Sequence, residues 1–170
     1  MVDFKITVVD LSYIQEGEME KMNVKVVYHS GRSGNTRKVA EAIAESFHIR
    51  AERIGKEKID FTAPVDLLFV GDGIYFHKPH RKTRAFLQGM NPEIVKNAAA
   101  FGTYGNQLEI GALIAALLRE QQISIAGEPF TCKGDSPGTD NKGHPDAMDL
   151  ENARRFAQKV AASLKERGEE

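Results

Sequence analysis

The feature that most limits the possible folds of this chain is a short apolar segment followed at once by a glycine-rich turn and an amphipathic helix. The apolar segment is Val24–Tyr28, and the turn contains glycine, serine and asparagine over residues 30–36. Beyond the turn, apolar side chains recur at helical spacing, at Val39, Ala40, Ile43, Ala44 and Phe47. A strand that leads into a helix in this way is typical of α/β proteins.

The same alternation of apolar segments and helical patterns continues to the end of the chain. Further strands are predicted at residues 49–54, 66–70, 97–101 and 123–131. Helical patterns separate them, and a final helix is predicted around residues 150–164. Strands that alternate with helices are joined by right-handed crossovers and form a doubly wound parallel sheet. The sequence therefore predicts an α/β fold with helices on both faces of the sheet.

The length of the chain, 170 residues, is that of one compact domain. We expect residues 23–170 to form this domain and residues 1–22 to be an N-terminal extension. Phe4, Ile6 and Val8 alternate with polar residues in that extension. This alternation is typical of an edge strand. An arm that contacts a partner is the alternative interpretation.

Composition and charge exclude several classes of function. The formal net charge is −1, so binding to nucleic acid through phosphate neutralisation is not expected. No apolar run approaches the roughly 18 residues that a membrane-spanning helix needs. The N-terminus also lacks the basic region and apolar core of a signal peptide. We therefore expect a cytoplasmic protein that binds neither nucleic acid nor a membrane.

Four loops are the candidates for chemistry, because ligands of open parallel sheets bind beyond the carboxyl ends of the strands. These loops are residues 29–36, 71–80, 102–107 and 132–145. Each of them is rich in glycine, hydroxyl or aromatic residues. A ligand that contacts all four would lie at one edge of the sheet.

The loop over residues 30–36, SGRSGNT, is suited to a small dianionic phosphate. Gly31 and Gly34 let the backbone turn tightly and direct N–H groups toward an anion. The helix that follows attracts negative charge at its N-terminus. Further donors are provided by Ser30, Arg32, Ser33 and Thr36. The loop is neither a Walker loop nor a dinucleotide fingerprint, because both spacings are absent. An ordinary turn that caps a helix is the alternative.

This loop resembles the phosphate loop of the flavodoxin family, which reads T/S-x-T-G-N-T. Residues 30–36 differ in having Ser33 at the middle threonine and one additional residue. The resemblance continues through residues 73–76 and 101–105 and covers about residues 23–167. It implies a flavodoxin-like, five-stranded parallel sheet in the order 2-1-3-4-5. It also implies non-covalently bound FMN and electron transfer.

The resemblance further implies which residues contact FMN. The phosphate would bind to Ser30, Arg32, Ser33, Gly34, Asn35 and Thr36. One edge of the flavin ring would contact Gly73, Ile74, Tyr75 and Phe76, and the opposite wall would be Thr103, Tyr104, Gly105 and Asn106. Asp135 would reach the flavin or its ribityl chain. Because the chain has no tryptophan, Tyr104 is the expected stacking ring. The second face is left to Tyr75, Phe76, an aliphatic side chain or a partner.

The predicted function is that of an electron carrier between redox partner proteins, as a monomer or weak dimer. A reductase that uses NAD(P)H to reduce FMN or a quinone is the alternative on the same fold. A cluster of cations without an acid, Lys78, Arg81, Lys82 and Arg84, would suit a nicotinamide phosphate or an acidic partner. A third possibility is a module without redox chemistry that binds another phosphate.

Neither a catalytic residue nor a metal site is predicted. Cys132 is the only cysteine, and we expect it to be a small buried apolar residue rather than a reactive thiol. His77 and His80 are three residues apart, yet no cysteine or carboxylate clusters with them as a metal site requires. A role for His77 as a proton donor near the flavin edge is the other interpretation considered.

Overall fold

A computed structural model describes residues 21–168 of the chain. The helices are α1 (Asn35–Glu45), α2 (Arg81–Gln88), α3 (Ile110–Glu120) and α4 (Ala147–Gly168). The strands are β1 (Val24–Tyr28), β2 (Glu52–Arg53), β3 (Leu67–Tyr75), β4 (Lys78–Pro79), β5 (Asn97–Tyr104), β6 (Ser124–Ile125) and β7 (Phe130–Lys133). Strands and helices alternate along the chain as the sequence predicts.

The main sheet is parallel and confirms the predicted fold class. Its strands lie in the order β2-β1-β3-β5-β6, and β7 also pairs with β5 in parallel. The register places Val26 beside Phe69, and Phe69 beside Ala99. The two-residue β4 adds an antiparallel hairpin to the end of β3. The order of the parallel strands is that of a doubly wound sheet.

The predicted five-strand count is wrong in detail, because the last strand is divided. The segment predicted at residues 123–131 forms β6 and β7, which pair with successive parts of β5. Gly127 between them has a φ of 74°, a left-handed conformation that a strand does not adopt. Pro129 has no N–H to donate to a ladder. The expected bend at these two residues is therefore an interruption of the strand.

Strands β3 and β5 extend beyond their predicted ends, because their glycines pack tightly rather than turn. A Cβ on Gly71 would lie 2.0 Å from the ring of Phe101, and one on Gly102 would lie 2.5 Å from the side chain of Ile110. These glycines allow neighbouring elements to approach closely. The extension brings residues 72–75 and 102–104 to the carboxyl edge of the sheet as ordered strand.

The core consists of one apolar cluster on each face of the sheet. Alternate side chains of a strand point to opposite faces, so Val26 joins one cluster and Val27 the other. Helices α1 and α4 cover the first face, where Phe69 and Phe101 are fully buried. Helices α2 and α3 cover the second. The predicted placement of helices on both faces is thus confirmed.

The predicted N-terminal extension, residues 1–22, lies almost entirely outside the described residues. Lys21 and Met22 are the exceptions, and the side chain of Met22 packs against the cluster beneath α1 and α4. Within residues 21–168, no helix is both long and apolar enough to cross a bilayer. The domain boundary and the cytoplasmic location both stay predictions.

Candidate functional site

A cavity of about 280 Å³ opens at the carboxyl edge of the sheet, where the predicted loops meet. The loops that follow β1, β5 and β7 and the end of β3 all contribute to its lining. The lining comprises Ser30, Gly31, Arg32, Ser33, Asn35, Thr36, Gly73, Ile74, Tyr75, Thr103, Tyr104, Gly105, Gly134, Asp135, Ser136 and Pro137. Most of the predicted contact residues therefore surround one space.

The loop before α1 has the geometry of an anion site. Gly34 lies at the N-cap with a φ of 71°, and no side chain caps the helix. The N–H of Gly34 donates to the carbonyl of Gly31, and this hydrogen bond closes the turn. Ser30 is only 3% exposed, and its Oγ has no hydrogen-bond partner among residues 21–168. A buried hydroxyl without a partner costs free energy unless a ligand satisfies it.

The first two residues of α1 connect this loop to the rest of the site. The Oγ1 atoms of Thr36 and Thr103 lie 2.8 Å apart, and both residues are buried. Asn35 Nδ2 donates to the carbonyl of Asp135 at 2.8 Å. A Cβ on Gly134 would lie 2.7 Å from that Nδ2, so a glycine is required beside Asn35. Three loops are held in a fixed relation by these contacts.

Two tyrosines also line the cavity, Tyr75 at the end of β3 and Tyr104 at the end of β5. The Tyr75 hydroxyl lies beside Gly31 of the glycine loop, where a Cβ on Gly31 would be 3.2 Å from it. Burial raises the pKa of Tyr75 to about 12, and the charge of the nearby Asp72 adds to this effect. The Tyr75 hydroxyl therefore stays protonated even at pH 10, where an ordinary tyrosine is about half ionised. Asn141 Nδ2 donates to the carbonyl of Gly105 at 2.8 Å and so holds the loop after β5.

Three of the predicted contact residues lie outside the cavity lining: Gly34, Phe76 and Asn106. The side chain of Phe76 is 99% exposed. Phe76 and His77 form the turn between β3 and β4, with φ values of 49° and 62°. Of the two aromatic residues considered for the second flavin face, only Tyr75 thus lines the cavity. A cofactor contact by Phe76 stays a prediction.

Behind Tyr75 lies a buried polar network that the sequence patterns did not indicate. Asp72 is fully buried, and its Oδ1 lies 3.1 Å from His29 Nδ1 and accepts from Gly73 N–H at 2.7 Å. Its Oδ2 accepts from His80 N–H, also at 2.7 Å. The rings of His29 and His80 stack with centroids 3.8 Å apart. No motif spacing identifies this network, because its members come from three separate segments.

His77 and His80, the two histidines considered for metal binding, form hydrogen bonds with different residues. His77 Nδ1 lies 2.6 Å from Nε2 of Gln107, which joins the β3–β4 turn to the loop after β5. The Nδ1 of His80 instead accepts from Lys82 N–H and so caps the start of α2. Burial lowers the pKa of His80, and the nearby His29 adds to this effect. Both histidines thus have structural contacts of their own.

The single cysteine is buried on β7, as predicted. Burial raises the pKa of the Cys132 thiol to about 12, and the negative charges of Asp149 and Asp146 add to this effect. Because the thiolate is the reactive form, the folded protein should react with Ellman's reagent at about pH 8 roughly 100-fold more slowly than the chain unfolded in urea. Equal rates for the folded and unfolded protein would contradict this burial.

Comparison with known proteins gives one sequence relative and a consistent structural class. No protein-family model matches the chain. The uncharacterized protein MJ0298 of Methanocaldococcus jannaschii is 31% identical over 149 residues, covering 82% of this chain and 98% of the relative.

Among solved structures, a flavodoxin from the domain Archaea is 23% identical with a TM-score of 0.66, covering 84% of this chain and 99% of that one. Flavodoxin 2 from Bacillus cereus is 17% identical with a TM-score of 0.61, and the match covers 82% of this chain and 99% of that one. The rubredoxin oxygen:oxidoreductase of Desulfovibrio gigas is 21% identical with a TM-score of 0.67, and the match covers 86% of this chain but 37% of that protein. At these identities the similarity shows a shared fold.

Proposed function

This chain belongs to a flavodoxin-like family that includes the Methanocaldococcus jannaschii protein MJ0298, and from this we propose that it binds FMN non-covalently and transfers electrons between redox partners. The observation that supports the proposal most directly is the buried Ser30 hydroxyl, which has no partner among residues 21–168. It lies at the start of the glycine loop that precedes α1. A phosphate in that loop would satisfy it.

The phosphate end of the cavity fits a dianion in its donor chemistry. The uncapped N-terminus of α1 offers backbone N–H groups and the positive end of the helix dipole. In the pair formed by Thr36 and Thr103, only one hydroxyl proton is used between the two oxygens. The other proton remains available to a phosphate oxygen. Arg32 adds a positive charge at the rim.

The ring end fits a planar aromatic group that is only partly enclosed. Tyr75 and Tyr104 line the cavity, and aromatic side chains favour offset or edge contacts with a flat ring. The cavity volume of about 280 Å³ is just below the range for sites that enclose drug-sized ligands, about 300–1,000 Å³. An edge of the flavin would therefore remain accessible to a partner, as electron transfer requires.

In this proposal the protein contributes binding and electrostatics, whereas bound FMN supplies the redox chemistry. Ser30 and Thr36 would hold the phosphate, and Asn35 would keep the loop in place through its bond to the Asp135 carbonyl. Tyr75 would present a neutral hydroxyl beside the site. The rings of His29 and His80, which Asp72 holds in place, would position Tyr75 through their edge contacts with its ring.

The test of FMN binding compares ligands that differ in the phosphate. The purified protein is stripped of bound ligand and titrated with FMN and with riboflavin, with flavin fluorescence as the readout. We expect FMN to bind at least about 100-fold more tightly, because a charged phosphate gains several charge-assisted hydrogen bonds. Equal affinities would contradict the assignment of the phosphate loop, and no binding of either flavin would overturn the proposed function.

A second experiment distinguishes an electron carrier from the alternative reductase. The FMN-loaded protein is mixed with NADPH under anaerobic conditions, first alone and then with an added flavodoxin reductase. If the protein is a carrier, the visible absorbance of its bound FMN is expected to bleach only when the reductase is present. Rapid bleaching by NADPH alone would contradict the carrier function and support the reductase.

A further inference from the structure

Residues 73–92, which include the β3–β4 hairpin and α2, contain four cations and no acid. The cations are Lys78, Arg81, Lys82 and Arg84. The first three are exposed, and the last is partly buried. None of the four forms an ion pair within residues 21–168. We call the surface formed by these four side chains and the neighbouring Phe76 the α2 face.

The acids that border the α2 face do not neutralise it. Asp72 is fully buried, and hydrogen bonds engage both of its oxygens. A Cβ on Gly55 would lie 2.7 Å from Lys82 Cδ, so the loop after β2 adjoins the face. This loop, residues 54–61, carries two acids and two lysines and adds no net charge. On the side of α3, the exposed Glu109 adds one negative charge against four positive ones.

The α2 face begins at the rim of the proposed FMN site. In the β3–β4 hairpin, Lys78 lies directly opposite Tyr75, which lines that cavity. Residues directly opposite each other in antiparallel strands project from the same side of the pair. His80, immediately before α2, contacts the Tyr75 ring edge-on, with the ring centroids 5.2 Å apart. A protein bound to this face would therefore lie beside the cavity.

Two exposed apolar side chains accompany the positive charge. Phe76, at the tip of the hairpin, is 99% exposed, and Leu108, in the loop after β5, is 60% exposed. The contact between His77 Nδ1 and Gln107 Nε2, at 2.6 Å, joins these two segments. Protein interfaces combine exposed aromatic residues and arginine with a polar rim. The surface thus has the composition of a docking site.

From this arrangement we propose that the α2 face docks an acidic redox protein, with Phe76 as an apolar anchor. The inference rests on the proposed function and states the class of its partner. Carboxylates of such a partner would pair with the guanidinium groups of Arg81 and Arg84, whose planar donors match them. Opposite charges on the two surfaces also steer the encounter and raise the association rate, an effect that salt screens.

The experiment measures electron transfer from the reduced, FMN-loaded protein to two probes of similar size, acidic plastocyanin and basic cytochrome c. Each probe takes one electron, so the fully reduced flavin is reoxidised by two molecules of probe and releases its protons to solvent. We expect the second-order rate constant with plastocyanin to fall at least tenfold between about 10 mM and about 500 mM NaCl. The rate constant with cytochrome c should show no such fall. The opposite dependence, or none with plastocyanin, would overturn the proposal.

Charge reversal locates the docking surface. Lys78→Glu and Arg81→Glu should each lower the plastocyanin rate constant at low salt by about three- to tenfold. Lys159→Glu is the matched control, because Lys159 is an exposed lysine of α4, on the opposite face of the sheet, and forms no ion pair among the described residues. It changes the net charge equally and should have little effect. Equal effects of Lys78→Glu and Lys159→Glu would overturn the α2 face as the docking site.

Phe76→Ala tests the apolar anchor and the other possible occupants of the face. It should lower the plastocyanin rate constant about threefold at high salt, where charge is screened, and leave the FMN dissociation constant unchanged. A loss of FMN affinity would assign Phe76 to the cofactor, and a dimer that Phe76→Ala dissociates would assign the face to a second copy of the chain. Either result would overturn the proposal.

An unmodified protein that binds no FMN contradicts the proposed function instead. In that case, calorimetric titration of the FMN-free protein with plastocyanin still tests the α2 face. Binding that Lys78→Glu weakens and Lys159→Glu does not would support the face, and equal binding by both variants would overturn it.

Discussion

Replacement of Asp72 by alanine is expected to lower the free energy of unfolding by about 3–5 kcal/mol. The carboxylate is fully buried and accepts from the N–H groups of Gly73 and His80, besides its contact with His29. Alanine would leave these donors without a partner in the interior, and each unsatisfied group costs about 1–3 kcal/mol. The end of β3 would lose its connection to the start of α2.

Urea denaturation of the protein and its variants measures this loss. Asp72→Asn keeps one acceptor oxygen and should be destabilised less than Asp72→Ala. Asp140→Ala is the control, because Asp140 is exposed and surface substitutions of this kind usually change stability by less than about 0.5 kcal/mol. If Asp72→Ala were as stable as the Asp140 control, the network would not have the structural role described here.

Replacement of Thr36 by alanine is expected to raise the dissociation constant of FMN by about 10- to 100-fold. The substitution removes the Thr36 hydroxyl, which in the proposed site accepts from Thr103 and donates to the phosphate, so that this hydrogen bond is lost. Hydrogen bonds to charged groups contribute about 1.5–3 kcal/mol, and each 1.4 kcal/mol is a factor of ten in affinity. Titration with FMN, followed by flavin fluorescence, measures the change.

Thr83→Ala provides the matched control for this variant. Thr83 is also a fully buried threonine, but it lies in α2 and does not line the cavity at the carboxyl edge of the sheet. Its substitution should leave the FMN dissociation constant unchanged. Riboflavin affinity should be the same in Thr36→Ala as in the unmodified protein, because riboflavin has no phosphate. An unchanged FMN affinity in Thr36→Ala would show that the phosphate binds elsewhere.

Local patterns in the sequence predicted most of the fold because each strand and helix has its own periodicity. The apolar segment at Val24–Tyr28 and the helix after it needed no tertiary information. Strand ends were less predictable. In the sequence, Gly71 and Gly102 indicate the ends of strands. In the structure they lie within strands, where the side chains of Phe101 and Ile110 pack against the backbone.

The candidate site divides in the same way between local and long-range information. The loop over residues 30–36 is continuous in sequence, so its glycines and hydroxyls identify it without a structure. Tyr75 and Phe76 are adjacent in sequence and chemically similar, so the sequence left both as candidates for the second flavin face. Phe76 and His77 have positive φ values in the turn after β3, and the Phe76 side chain points into solvent. Tyr75 remains in the cavity lining.

The sequence by itself determined the α/β class, the alternation of elements and the phosphate-type loop, since each depends on residues close together in the chain. Only the tertiary structure decided which aromatic ring lines the cavity and that Thr36 meets Thr103. It also joined Asp72 to two histidines. These contacts link segments from different strands and loops, and such segments become neighbours only when the parallel sheet brings their carboxyl ends to one edge.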